Sequence, residues 1–296
     1  MRTSLTQNTD RLSSCELTYI SLCFPVTIGA FVGSAFINAV QKAPSFSEGL
    51  SAVKKLAEEL ITGQIALHLV KQGQCVCIAS FEMKPEKTLE RMMRQFAGEY
   101  IDEPLATDRE AYITKLVNRM DKFLSNKMYL YDQQGSTSPD KVIAMARYCA
   151  MELGVKHIVI DSLMKCVKGE DDFNGQKNFV DELTALARDH SVHIHLVHHI
   201  RKLVNEEQQP NKHDLKGSGS ISDQVDNVFL MWRNKKKENM RNRGEQVDET
   251  IADAFLMCEK QRNGEYQEWY SLWYHAASQQ FVENLEIAGS PRKLFR

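Results

Sequence analysis

Three apolar, β-branched runs end on side chains able to manage a charged ligand. VKHIVIDS ends on Asp161, HIHLVHHIRK carries His198 and His199, and CVCIASFEM ends on Glu82. A carboxylate at the C-terminal end of a buried parallel strand is suited to hold a nucleotide-bound Mg²⁺ through its water shell. A second carboxylate beside it can polarise an attacking water as general base, and a histidine pair can touch a phosphate. Each has a plainer alternative: Asp161 as a helix cap or loop acid, and the histidines as satisfied core groups.

Two further patterns suit anions. LKGSGS (215–220) is small and glycine-rich, so its backbone N–H groups can approach a phosphate or a DNA backbone. It is not a nucleotide-binding P-loop, because it follows no strand and lacks Gly-Lys-Ser/Thr. KQRNG places Lys260 and Arg262 on alternate residues of one strand, hence on one face, where two cations can reach a phosphate on a neighbouring subunit. A solvated strand face is the plainer reading.

The elements that must position these residues follow from hydrophobic period. GQIALHLVKQG (63–73) continues a helical pattern that begins at Ser47 in FSEGLSAVKKLAEELI (46–61), and it stops at Gly73. Strands are expected at 75–83, 128–135, 157–162 and 193–199, with helices over 84–100, 101–127, 138–154 and 176–191 between them. Repeated strand–helix alternation predicts an α/β fold with a mostly parallel, wound sheet. Beyond it lie a polar loop (201–214), a short helix and strand after the Gly/Ser loop, and a mixed-charge run (233–250) that reads as a solvated hairpin or loop. Residues 252–275 read as a C-terminal β-hairpin turning at Asn263-Gly264.

Composition bounds the rest. The 296 residues suffice for a large α/β domain and an appendage, and a formal charge of −2 gives no global attraction to nucleic acid. Seven cysteines without a CxxC pair, three of them (Cys75, Cys77, Cys258) inside strand-like runs, read as buried thiols in a reducing cytoplasm. Residues 17–40 carry no charge and are long enough to span a bilayer or act as a secretion signal. Pro25, the interspersed Ser, Thr and Asn, and the absence of a flanking basic cluster favour a buried or loosely ordered appendage.

In order, ASFEM, HIVIDS, LVHHIRK, DLKGSGSISDQVDNVF and EKQRNG resemble the motifs of DnaB-type replicative helicases, the hexameric RecA-like motors that include phage primase-helicases. The resemblance runs from about Thr62 to Phe281. It implies a RecA-like motor domain over 62–284, an atypical N-terminal segment over 1–61 and a frayed tail over 285–296. It implies ATP and Mg²⁺ as cofactors, single-stranded DNA as partner, a homo-hexamer or mixed ring, and a primase or loader. Glu82 becomes the catalytic base, Asp161 the metal-linked acid and His199 the phosphate sensor. Lys260 and Arg262 become the pair acting on a neighbour's ATP. DNA contacts fall on Arg201, Lys202, Lys212, Lys216, Gly217, Ser218 and Gly219.

The chain departs from the family pattern twice. Asp223 stands where members often carry Gln, with Gln224 one place later. No G-x-x-x-x-G-K-[ST] occurs at all: around Gly49 and Lys55 the second Gly is Lys54 and the Ser/Thr is Leu56. Cradling of the β- and γ-phosphates and the hydroxyl contact to Mg²⁺ lose their usual donors. Two alternatives to a working helicase follow, a remnant that keeps the fold and DNA loops but binds ATP poorly, and a RecA-like recombinase. The KQRNG hairpin and DLKGSGS loop favour the helicase.

Overall fold

The runs VCIAS and HIVID are apolar on both faces, which suits strands covered by helices on both sides. In the computed structural model they lie side by side at the centre of a parallel sheet, β2 (Val76–Ser80) against β4 (His157–Asp161). The structure describes residues 17–19, 61–99, 101, 109–200, 209–215, 221–262 and 268–288. These fall into two compact units. The first comprises residues 68–89 and 121–199 with 17–19, and the second the described parts of 61–67, 90–120 and 200–288.

In the first unit the sheet order is β1-β3-β2-β4-β5. Here β3 is Met128–Tyr131 and β5 is His193–Leu196, and β3, β2, β4 and β5 run parallel. The edge strand β1 (Leu17–Tyr19) pairs antiparallel with β3. This is the start of the uncharged 17–40 stretch, whose remainder lies outside the described residues. Among the described residues no helix is long and apolar enough to cross a membrane.

Helices α4 (Pro139–Met151) and α6 (Phe173–His190) pack together and supply Val142, Ala146, Cys149, Phe179 and Val180 to the core. The α6 start falls ahead of the expected 176 because Asp172 caps it, its side chain accepting from the Gly175 N–H. Three helices precede and separate these elements: α1 (61–71), α2 (Pro85–Ala97) and α3 (Arg109–Leu124). A single turn, α5 (Leu163–Cys166), follows β4. The expected helix over 46–61 lies outside the described residues, except Ile61.

At the N-terminal ends of β4 and β5, away from Asp161, three histidines share one face. His157 Nδ1 and His195 Nε2 lie 3.2 Å apart, and the His193 and His195 rings have centroids 4.4 Å apart. Burial, then the charges of His193 and His157, lowers the His195 pKa to about 3.

The second unit is built on an antiparallel sheet, β6-β7-β8-β9: Asn227–Arg233, Ala254–Gln261, Trp269–His275 and Gln280–Val282. The short helix α7 (Ile221–Gln224) leads into it, as the polar turn after the Gly/Ser loop predicts. The C-terminal hairpin is β7 with β8. Its register sets Met257 opposite Trp269, where an unbroken ladder around a two-residue turn at 263–264 would set Tyr270. Residues 263–267 lie outside the described ones. One face of the sheet packs Met231, Ala254, Leu272 and Tyr274 with Phe281. Gln64 and Phe281 exchange two hydrogen bonds, Nε2 donating to the carbonyl at 2.7 Å and Oε1 accepting from the N–H at 2.8 Å.

The largest departure from the sequence expectation is a helix. The mixed-charge run 233–250 contains a helix, α8 (Lys235–Asn242), rather than a loop or hairpin. Asn234 caps it by accepting from Lys237 N at 3.0 Å. Lys237 is buried, held by Asp253 at 2.8 Å, Glu249 at 3.1 Å and the Ile251 carbonyl at 2.6 Å. The charges here are an internal network, which is why hydrophobic period missed the helix. A last turn, α9 (Leu285–Ala288), contacts β8 and β9, and residues 289–296 lie outside the described ones.

Candidate active site at the strand ends

The parallel register puts Ser80 directly beside Asp161 at the C-terminal ends of β2 and β4. The Ser80 hydroxyl donates to Asp161 Oδ2 at 2.9 Å and accepts from the Met83 N–H at 3.2 Å. Asp161 is only 5% exposed, so this hydroxyl stands in for water that burial removed. The ladder continues one step past the strands, with Phe81 N–H donating to the Asp161 carbonyl at 2.8 Å.

Glu82 lies in the bend two residues beyond β2, not on the strand itself. Ser162, fully buried, donates through Oγ to Glu82 Oε1 at 3.0 Å, and His199 Nε2 is 3.7 Å from the same oxygen. The bend is braced from β3's side: Gln134 Nε2 donates to the Met83 carbonyl at 3.1 Å, and Gly135 N–H to the Phe81 carbonyl at 2.8 Å. His199 is delivered by the continuation of β5, where Val197 N–H donates to the Ile160 carbonyl at 2.9 Å and Leu163 N–H to the Val197 carbonyl at 3.0 Å. His198, its neighbour, is half-buried. Beneath the acid, burial and then the Asp161 charge push the Cys166 thiol up to about 12, leaving it a packed, unreactive group.

The structure therefore brings Glu82, Asp161 and His199 together at three adjacent strand ends. Period and motif missed Ser80, Ser162 and Gln134. The positions of the two serines, one opposite Asp161 in register and one directly after it, were the available signals. The oxygen donors around Asp161 suit Mg²⁺, which is usually bound by one or two carboxylates plus substrate phosphates. Among the described residues no group of three His, Cys, Asp or Glu side chains is arranged as a self-contained metal cage.

In the second unit Lys260 and Arg262 do share a face, and both are engaged within their own chain. Lys260 Nζ donates to the carbonyls of Ser222 (2.7 Å), Asp223 (3.0 Å) and Val225 (2.9 Å). Arg262 Nη2 donates to the carbonyls of Asp223 and Gln224 at 3.0 Å each, and Nη1 pairs with Asp226 Oδ1 at 2.7 Å. Asp223, at the position where Gln was expected, thus contributes its carbonyl to both cations.

Of the expected DNA contacts, Arg201, Lys202, Lys216, Gly217, Ser218 and Gly219 lie outside the described residues, as does the side chain of Lys212. Their flanks are ordered by specific bonds. Ile200 bridges antiparallel to Leu215, which closes the neck of the 201–214 segment. Asn211 and Asp214 cap the turn at 212–214 reciprocally, with both bonds at 2.9 Å.

Residues 51–283 match the family described as DnaB-like helicase C terminal domain. No curated protein matches. A solved ATPase domain is similar at 16% identity with a TM-score of 0.61, over 77% of this chain and 81% of that one. A DnaB-like replicative helicase, solved in a study of its interactions with primase, is similar at 19% identity with a TM-score of 0.58. That likeness covers 74% of this chain but 54% of the helicase, so this chain spans about half of that relative's length. At these identities the two structures speak for the RecA-like fold.

Proposed function

Because the chain belongs to the DnaB-like helicase C-terminal domain family, we propose that it is a replicative-helicase-type motor domain that holds single-stranded DNA in a ring of like subunits in the cytoplasm. The observation that carries this reading is the convergence of a serine-held Asp161, a serine-held Glu82 and His199 at the C-terminal edge of a parallel sheet. In a RecA-like fold that edge is where nucleotide binds. Asp161 would hold hydrated Mg²⁺, and Glu82 would orient water.

ATP fits this chain only in part. The acid, the base and the sensor are present, whereas the phosphate cradle has no G-x-x-x-x-G-K-[ST] to build it in the 296 residues. Phosphoryl transfer depends almost wholly on positioning and charge stabilisation. The isolated chain is accordingly proposed to hydrolyse ATP weakly or not at all while keeping the fold and the DNA-facing loops. A subunit with an intact cradle could restore turnover in a mixed ring, with Arg262 of this chain serving the neighbour's site. A primase or loader is the natural further partner of such a ring.

Fluorescence anisotropy of a labelled oligo-dT tests the binding claim. Binding through Arg201, Lys202, Lys212 and Lys216 should give a log–log salt slope of about −3, about 0.7 per cation. Removing Arg201 and Lys202 together should weaken binding and flatten the slope by about 1.4. No binding at low salt, or a slope untouched by the double substitution, would reject the assignment.

A further inference from the structure

The strand pattern predicts that Lys260 and Arg262 reach outward, yet all three Lys260 donors and three of the five Arg262 donors are committed inward. A lysine ammonium has three protons, and Lys260 directs its Nζ to three carbonyls of residues 222–225. It cannot touch an outside phosphate without giving up one of these bonds. Arg262 is tied to the same segment by two carbonyls and by the Asp226 carboxylate, and its own N–H donates to the Asp226 carbonyl at 2.8 Å. The carbonyls lie along and just past the short helix Ile221–Gln224, so the two cations cap its C-terminal end.

We propose that residues 222–226 form a latch in cis on Lys260 and Arg262, with Asp226 as its one side-chain bolt. In this state Lys260 is withheld from any anion on a second copy of the chain, and Arg262 is held against its own segment by three of its five N–H donors. The latch follows directly on the Gly/Ser loop 215–220 in sequence. Nucleic acid on that loop is therefore the event placed to shift the latch and release the pair. This coupling rests on the DNA-binding function proposed above. The latch itself rests only on the contacts.

Asp226 and Arg262 are both partly exposed, with 52% and 44% of their side chains accessible, so the bolt can be removed without opening the core. Phenylglyoxal labelling of the full-length chain, followed residue by residue by peptide mass spectrometry, reads how tightly Arg262 is held. D226A should speed Arg262 labelling about fivefold, the effect of an exposed ion pair near the upper end of its usual range. D223A removes an equal charge nearby while leaving the backbone carbonyl in place, and should change it less than about twofold. Equal rates in wild type and D226A would overturn the latch. Saturating oligo-dT, with binding followed separately by anisotropy, should move the wild-type Arg262 rate toward that of D226A. Bound oligo-dT that leaves the rate unchanged would mark 222–226 as a fixed cap and overturn release. Failure of oligo-dT to bind would count against the proposed function instead, while the D226A comparison would still decide whether the latch exists.

Discussion

The Ser80 hydroxyl offers a direct way to ask whether the strand-end site is held as the geometry indicates. It donates to a carboxylate that is 5% exposed and accepts from the Met83 N–H, so alanine there leaves two groups wanting. A hydrogen bond to a charged group is worth about 1.5–3 kcal/mol, and a buried anion cannot readily find water instead. S80A should therefore cost about 2–3 kcal/mol. The cost should fall when Asp161 is made neutral, so S80A and D161N should be non-additive by about 1 kcal/mol or more in a double-mutant cycle. The assay must watch the right unit. All three tryptophans, Trp232, Trp269 and Trp273, belong to the second one, and fluorescence would report on it alone. Hydrogen exchange of amides in 76–83 and 157–163 reports on the site itself, where a loss of about 2 kcal/mol appears as roughly 30-fold faster exchange. Additivity within about 0.5 kcal/mol, or unchanged exchange in S80A, would refute the proposed role of the hydroxyl.

Two further outcomes follow from charges elsewhere. The His195 pKa lies near 3 in the folded chain against an ordinary 6.5, so above about pH 6.5 the group costs nothing. As pH falls below that, the unfolded chain takes up a proton that the folded one refuses, and stability drops by about 2 kcal/mol by pH 5, continuing toward pH 3. H195Q should remove that loss in urea titrations at pH 7 and pH 5 followed by exchange in 193–197, and an unchanged pH dependence would count against the histidine cluster. Lys237 is a buried cation among Asp253, Glu249 and the Ile251 carbonyl. K237A should cost about 1–3 kcal/mol, because it leaves the Ile251 carbonyl and one side of Asp253 without their donor while Arg241 still pairs with Asp253 at 3.2 Å and with Glu249 at 2.6 Å. Tryptophan-detected unfolding reads this unit, since Trp273 Nε1 donates to the Glu249 carbonyl at 3.1 Å, and a midpoint equal to wild type would contradict it.

Much of the first unit was legible in the sequence for a physical reason: strands buried on both faces are continuous apolar runs, and caps such as Gly154 and turn residues bound them. Asp161 could be found because it ends such a run. Ser80 could not be found by period, because its importance arises from its register opposite Asp161, which only the paired strands reveal. The second unit was less legible. Its helix at Lys235–Asn242 is too polar to show a hydrophobic stripe, since its buried face carries Lys235, paired with Glu238 on the same helix, and Lys237, held by Glu249 and Asp253. That Lys260 and Arg262 share a face followed from strand alternation. That they close on residues 222–226 did not, because backbone carbonyls leave no trace in side-chain identity.

We propose a helicase-type domain that keeps Glu82, Asp161, His199 and the DNA-facing loops without a Gly-Lys-Ser/Thr phosphate cradle. Steady-state phosphate release by the purified full-length chain, with Mg²⁺, ATP and saturating oligo-dT, tests it most directly. The prediction is release indistinguishable from an E82Q control while oligo-dT is bound. Turnover that is stimulated by DNA and disappears in E82Q would contradict it.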